Sequence, residues 1–595
     1  MSDDSTERSQ TVTRRRMLAA LSSVGAAGIA GCDGLSSSPE TPENGTAPAT
    51  DSAATGTETG TDAQSKAVYS GETIPPTSYD DLASQAPTTA APAGEVTNPV
   101  LTADDVTDFG RADYVADPYM FREEGNWHLF FEVVNKNRSP DAAIGHASSK
   151  DGLDWQYTGI VLEKSNHTSY PFIWKWQGEY YMLPPTGKSV ELWHAKDFPT
   201  GWERKGTLIE KEYFTHDPVI FRYNDRWWLF TSRENKDVMA FHSKELTAST
   251  DAWTPHAANP VVEDRQWAAR QGGRPVVIND TPHLFLQDVE YEYGDKIRAF
   301  TVNELTTDAY SDKEAAHSPV VTGFGSGWNA IKMHHYDPWA LGNDNGWRCA
   351  VDGAFDDSGD GVEWSIGIFD APNLPKPNKQ SIPYDPKKTS GYFRLDGKST
   401  VAVDDSGNQN HGMVRGAKPT DVGNCKGRRF EKERDRVVFP TQFDGLDSDA
   451  FTLFFRGKLR STKEPQALFD YTSRHIKRRL AVRFDPGANG WKFDFTGTDG
   501  QTRPGVEASV STDKPFQLAV AYKQGDGYRI FQDGKELTQA RDVGGMFHEV
   551  CLPVLGSTLP GQYPWKGDIS HFGVFDEALT EKDLSSFTSS VCSSQ

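Results

Sequence analysis

From residue 117 to residue 341 one pattern of polar and apolar positions returns five times: an ionisable or phenolic residue, a proline, then a short apolar run. The sites are Asp117-Pro-Tyr-Met-Phe, Tyr170-Pro-Phe-Ile-Trp, Asp217-Pro-Val-Ile-Phe, Arg274-Pro-Val-Val-Ile and Asp337-Pro-Trp-Ala-Leu, separated by 53, 47, 57 and 63 residues. Three of the runs lead through a Gly- or Asn-containing turn into an aromatic segment: Trp127 to Phe131, Tyr180 to Leu183 and Trp227 to Phe230. Runs this short, bounded by turn residues, are strands. A repeat near fifty residues built from strands and turns predicts a β-propeller, here with five blades. Proline has no N–H to give a ladder and restrains its predecessor to an extended conformation. Each run is therefore expected to be the innermost strand of its blade, with Asp117, Tyr170, Asp217, Arg274 and Asp337 facing one mouth of the central channel.

The pattern changes after residue 375. A Pro-rich stretch over 376–389 reads as a linker. From 390 to 595 short alternating segments follow without the fifty-residue period, among them Phe451 to Phe455, Leu480 to Phe484, Trp491 to Phe495, Phe516 to Tyr522 and Tyr528 to Phe531. Asp533-Gly534 supplies a hairpin turn. The expected fold is all-β: a five-bladed β-propeller over 105–375 followed by a β-sandwich over 390–595. Residues 33–104, rich in Ser, Thr, Ala, Pro and Gly, cannot bury a core and read as a disordered stalk.

Charge and the N-terminus add a location. The 595 residues hold 84 acidic and 62 basic side chains, net -22, which argues against a nucleic-acid partner and suits a high-salt medium. Thr13-Arg14-Arg15-Arg16-Met17-Leu18 has the twin-arginine form, and the weakly apolar stretch after it is too short for a permanent membrane span. It ends in Ile29-Ala30-Gly31-Cys32, the form of a lipobox. Residues 1–32 are thus expected to be a twin-arginine export signal with Cys32 lipidated, tethering the protein to the outer face of the cytoplasmic membrane; the alternative is an ordinary secretory signal cleaved elsewhere. Cys349, Cys425, Cys551 and Cys592 match no zinc spacing; Cys425 could pair with Cys551 or Cys592, and free buried thiols are the other option.

Several of these segments resemble known families. Asp404 to Gly412, Phe531-Gln-Asp-Gly-Lys535 and Gly567 to Leu579 resemble a laminin G-like, concanavalin A-like jelly roll, which implies binding of glycans or proteins and often a structural calcium. Ala116-Asp117-Pro118, Ser148 to Trp155, Ser169 to Phe172, His216-Asp217-Pro218, Gly273-Arg274-Pro275 and Gly327 to Asp337 are similar to the N-terminal domain of glucosamine inositolphosphorylceramide transferases. That domain shares its architecture with glycoside hydrolases of families 43, 32 and 117. By this likeness Asp117 matches a general base and Asp217 a supporting carboxylate, and a histidine acid is implied at His335 or His334. Prokaryotic relatives tend to carry Glu after the second blade's aromatic strand, where this chain reads Leu183-Pro184-Pro185.

Glycoside hydrolysis needs one ionised group to activate water and one group holding a proton for the leaving oxygen. The expected catalytic residues are Asp117, Asp217 and His335; Tyr170, Arg274, Asp288, Trp328, His334 and Asp337 are expected to contact substrate. Asp404, Asp405 and Asn408 offer hard oxygen ligands that suit calcium, although such clusters are commonly plain turns; no other cofactor is required. The sequence thus reads as an exported, lipid-anchored protein that hydrolyses or transfers a glycosyl group, with a glycan or glycoconjugate as partner and a sandwich that holds it. The alternative, favoured by Pro185, is a non-catalytic glycan-binding or adhesion lipoprotein.

Overall fold

Five antiparallel sheets follow one another along the chain in the computed structural model, which describes residues 79–590 apart from short internal stretches, the longest being 504–513 and 541–551. The export signal, Cys32 and most of the expected stalk lie outside the described residues. Blade 1 consists of Tyr114–Glu123, Asn126–Val134, Ala142–Ser149 and Gln156–Leu162. Blade 2 runs from Phe172–Trp176 to Thr200–Glu210, and blade 3 from Thr215–Tyr223 to Thr254–Pro255. Blade 4 centres on Val276–Ile278, Thr281–Asp288 and Lys296–Leu305. Blade 5 holds Tyr336–Ala340, Trp347–Asp357 and Gly361–Ala371. The expected all-β, five-bladed propeller is therefore present.

The backbone departs from expectation where the pattern was most regular. Asp117, Tyr170 and Asp217 have φ of 52°, 43° and 50°, left-handed rather than extended. In blades 1 and 3 the ladder shifts register there, between Ala116 and Tyr119 and between His216 and Val219. These are β-bulges, which re-aim a side chain out of the pleat. Proline explains their position, because the ladder loses least where no N–H is available to pair.

The ring is closed from outside the expected boundary. Ala91–Pro92 pairs with Gly361–Ala371 as the outermost strand of blade 5, and Tyr79, Ala83 and Ala90 sit in the same core as Trp347 and Val351. Residues from 79 onward, expected in the stalk, thus belong to the propeller.

The second domain is a two-sheet sandwich around an aromatic core that includes Phe393, Phe439, Phe455, Phe469 and Phe572. One sheet holds Ala450–Leu459, Phe516–Lys523, Gly527–Gln532 and Gly567–Phe575; the other holds Gln466–Thr472, Arg479–Asp485 and Gly490–Thr496. Asp533 and Gly534 both take positive φ, 51° and 79°, as a tight hairpin turn requires. The expected linker is largely part of this domain: Ile382 is buried against Phe454, Phe575 and Phe587, and the Tyr384 hydroxyl donates to Glu577. Val401 and Met413 of the sandwich share the core of blade 5 with Trp328 and Trp347. Cys425 is disulfide-bonded to a partner outside the described residues, and Cys349 is a buried free thiol. Among the described residues no helix is long and apolar enough to cross a membrane.

Candidate active site

The bulges deliver Asp117 and Asp217 to one buried cluster at the channel mouth. Asp117 Oδ1 lies 3.9 Å from His334 Nδ1 and 3.7 Å from His335 Nδ1. Beneath them Asp352, fully buried in the long second strand of blade 5, accepts the backbone N–H of Asp117 (3.1 Å), His334 (3.0 Å) and His335 (2.9 Å), and its Oδ2 is 2.6 Å from His334 Nδ1. One carboxylate thereby fixes the backbones of blades 1 and 5 and orients one imidazole. Burial pushes the Asp117 carboxyl well above the usual carboxylate range; Glu132, Asp217 and Asp352 push the same way, and His334 opposes them. Against the cost of burial, Asp352 and then Asp117 hold His334 above its ordinary pKa, and His334 with the N–H donors holds Asp352 below its own.

Asp217 lies in a different setting. Arg270 donates to both its oxygens, through Nε to Oδ2 and Nη2 to Oδ1, and the Gln287 amide donates to Oδ2 at 2.9 Å. This bidentate arrangement fixes the position of the carboxylate. The Arg270 guanidinium lies 5.0 Å from the Tyr293 ring, which also meets the His334 ring edge-on at 5.4 Å. His334 stacks on Trp364 with centroids 3.8 Å apart. Tyr293 and Phe214 are 46% and 54% exposed, the only large apolar side chains among the described propeller residues to be so exposed. Phe214 faces the ring of His216, next to Asp217. Two half-exposed aromatic rings beside a carboxylate cluster are suited to stacking on the apolar face of a sugar.

Other expected residues serve the fold. Arg274 and Asp337 have no exposed surface: Arg274 donates to Asp337 Oδ1 (2.7 Å) and to the carbonyls of Ile173 (2.9 Å) and Met120 (3.0 Å), while Asp337 Oδ2 accepts the Met120 N–H. The pair clasps blades 1, 2, 4 and 5, and its polar atoms are spent there rather than on a ligand. His335 lies wholly buried against Tyr119 and Tyr170, and burial pushes its imidazole down to about 3. It and Tyr170 form the floor, so His334, not His335, is the histidine in reach of the mouth. Asp288 is held by Arg298 at 2.8 Å. Trp328 is a packing residue: a Cβ on Gly353 or Gly367 would meet its indole at 2.6 or 2.5 Å, so both positions must be glycine. Asp404 accepts the N–H groups of Tyr392, Ser406 and Asn410 and the Ser406 hydroxyl. Asp405 accepts from Asn378 and Arg394, and the Asn408 amide donates to the Thr389 carbonyl. This turn holds itself with protein donors where calcium was expected. Among the described residues the ligand atoms that gather closely enough for a cation are those of Asp117, His334 and Asp352.

Asp352, Arg270 and Glu132 were missed by sequence reasoning. Asp352 and Glu132 did leave a signal: each is a single acid inside an otherwise apolar strand, Cys349-Ala-Val-Asp-Gly-Ala and Leu129-Phe-Phe-Glu-Val-Val. A buried charge in such a run needs a partner.

Residues 63–354 match the family model of the N-terminal domain of glucosamine inositolphosphorylceramide transferase 1, and residues 432–585 match the concanavalin A-like lectin/glucanases superfamily. The first match covers the propeller and the second most of the sandwich. The curated glucosamine inositolphosphorylceramide transferase 1 of Oryza sativa subsp. japonica is 31% identical over 292 residues, 46% of this chain, and that of Arabidopsis thaliana 30% identical over 261 residues, 41% of this chain. The matches span only 38% and 33% of those proteins' own lengths. Similar solved structures include the Podospora anserina α-L-arabinofuranosidase PaAbf62A in complex with cellotriose (13% identity, 49% of this chain and 99% of that one, TM-score 0.37). Another is the catalytic domain of the Coprinopsis cinerea GH62 α-L-arabinofuranosidase (14% identity, 48% and 98%, TM-score 0.38).

Proposed function

We propose that the propeller mouth hydrolyses or transfers a glycosyl group, with Asp117 giving a proton to the leaving oxygen and recovering one from the attacking water or hydroxyl. The observation that carries this reading is the contrast between two carboxylates in one mouth. Asp117 is desolvated and inclined to hold a proton; Asp217 is paired through both its oxygens with Arg270. Environments that separate two acids in this way divide their roles. Asp117 then acts as the proton donor, rather than the permanently ionised base that the family likeness implied. The carboxylate so formed takes the proton of the attacking water or acceptor hydroxyl as that oxygen bonds to the anomeric carbon, which restores Asp117; His334, oriented by Asp352 and held above its ordinary pKa, stands beside that carboxylate, and Asp217 with Arg270 orients sugar hydroxyls. Phe214 and Tyr293 are the platforms for sugar rings. The names of the curated relatives support a glycoconjugate substrate, and the lectin-like family of the sandwich supports its holding the glycan.

The test is turnover of a glycan panel in high salt by the whole protein and by Asp117→Asn. Proton transfer of this kind is worth about 10²–10⁴-fold, so kcat should fall by that factor while KM and melting temperature stay nearly constant. Equal turnover by the two would remove Asp117 from the mechanism. The second reading, a non-catalytic glycan-binding surface protein, rests on Pro185, which stands where relatives tend to carry Glu and which bridges to Val190 across blade 2; it predicts binding without turnover in the parent. We also propose export by the twin-arginine route and anchoring through lipidated Cys32. Cys32→Ser should release the protein from membranes, and unchanged partition would refute the anchor.

A further inference from the structure

A pocket of about 400 Å³ opens on the sandwich, in the range of small-molecule sites. Thr389 and Ser390 line it. The Ser390 hydroxyl donates to Asp576 and accepts the N–H of Gly445 at 2.8 Å, so the serine and the aspartate are fixed relative to each other. One wall is the Asn408 turn. The Asn408 side-chain N–H donates to the Thr389 carbonyl at 2.7 Å, which leaves its amide oxygen as the atom it can offer a ligand. Lys379 and Lys387, from the segment that the sequence pattern read as a linker, complete the lining.

These two lysines set the chemistry. Among the described residues neither ammonium pairs with a carboxylate, whereas their neighbour Lys388 is spent on Glu577 at 2.7 Å. Lys379 reaches across Gly407, whose φ is 86°; a Cβ there would lie 2.6 Å from Lys379 Cε. The turn therefore keeps a bare backbone where the lysine crosses it. In a chain of net charge -22, two lysines that outnumber the pocket's one carboxylate, Asp576, make a local inversion of sign that attracts an anion and disfavours a metal ion. A bare inorganic anion would leave most of the volume and the hydroxyl and amide lining unused. A sugar ring fills both needs, since its hydroxyls can donate to the Asn408 oxygen and its acidic substituent can take the lysine N–H groups.

We propose that this pocket is a subsite for an acidic sugar, a hexose unit bearing a carboxylate or sulfate, held by Lys379 and Lys387 at its charged group. The inference rests on the reading that the sandwich holds glycan, and it is independent of turnover in the propeller. It is tested by calorimetric titration of the whole protein with digalacturonic acid, its neutral counterpart digalactose, sodium acetate and calcium chloride, at low and high salt, because exposed charges are screened within about 10 Å at 0.1 M. Digalacturonic acid should bind at least tenfold more tightly than digalactose, with the difference shrinking in salt. The double variant Lys379→Met/Lys387→Met should lose that preference while melting at the parent temperature, and Asn408→Ala should weaken both sugars. Equal binding of the two disaccharides overturns the acidic assignment. Acetate binding as tight as digalacturonic acid leaves an anion site and no sugar subsite, and calcium binding abolished by Asn408→Ala would make the pocket a cation site. Loss of turnover in Asp117→Asn with digalacturonate binding unchanged would leave this inference standing whatever happens to the catalytic reading.

Discussion

His334 and His335 are chain neighbours with opposite fates, and the reason is what each meets. His334 has Asp352 at 2.6 Å from its Nδ1 and is held above its ordinary pKa; His335, with Asp117 no closer than 3.7 Å, packs between the rings of Tyr119 and Tyr170, and burial drives it down to about 3. The sequence pointed to His335 as catalytic and His334 as a substrate contact; it could not separate their surroundings, because those depend on Asp352, which lies 18 residues from His334 in another strand. Four further histidines share the state of His335: burial pushes His128 and His283 to about 4, and His146 and His571 to about 3. All five are neutral when folded, while in the unfolded chain they take protons near 6.5. The unfolded state therefore binds more protons between pH 6.5 and about 4, so stability is full above 6.5 and is lost as pH falls. His334 and His167, the latter raised to about 9 by its hydrogen bond to Glu132, contribute in the opposite sense, stabilising at low pH and fading as pH rises through their folded values, but they are two groups against these five and against His216 and His242, which burial also pushes down. The melting temperature should fall steadily from pH 7 to pH 5. A flat profile over that window would show that these histidines titrate normally in the fold.

At the scale of the strand, the X-Pro repeat announced the blades but misdescribed their first residues. Proline was read as holding Asp117, Tyr170 and Asp217 extended; instead the absent N–H made those positions the cheapest place to bulge, and left-handed backbone at a non-glycine residue costs about 1–3 kcal/mol each. The surrounding contacts must supply that energy, and at Asp117 part of it comes from its N–H to Asp352. In blades 4 and 5 the same repeat does something else. Arg274 and Asp337 keep a common position in the pattern with the bulged residues, yet they face each other across the channel and tie four innermost strands together. Residue type at a repeated position could not separate clasp from active site; only the partner can. Arg274→Met removes one half of a fully buried pair and should cost about 3–5 kcal/mol in urea unfolding, because the Asp337 charge is left uncompensated. Changing Asp337 to Leu in the same protein should restore much of that loss. If the double variant is as unstable as Arg274→Met alone, the backbone bonds rather than the ion pair close the ring.

For the whole molecule, composition located the two domains well and their edges poorly. The strands of both domains and the Asp533-Gly534 turn were legible because alternation and turn chemistry are local; the edges were not, because a Pro-rich or Ala-rich segment carries no local sign that a neighbouring domain will bury it. Residues 79–93 close blade 5, and residues 376–389, read as a linker, pack Ile382 into the sandwich and line its pocket. The sandwich in turn lends Val401 and Met413 to the core of blade 5. These placements predict an order of stabilities for fragments. A piece beginning at residue 390 loses the buried Ile382 side chain, worth about 1.5–3 kcal/mol, together with the contacts of Tyr384 and Lys388 to Glu577. A piece beginning at residue 376 keeps them and exposes only the face that meets the propeller. Melting followed by circular dichroism should therefore rank the whole protein's sandwich transition highest, 376–595 next and 390–595 lowest, with the shortest piece most prone to aggregate through its uncovered aromatic patch around Phe454 and Phe575. Identical melting of the two fragments would mean that the Pro-rich segment is the passive spacer its composition suggested, and that the pocket it walls is not held in place by the sandwich.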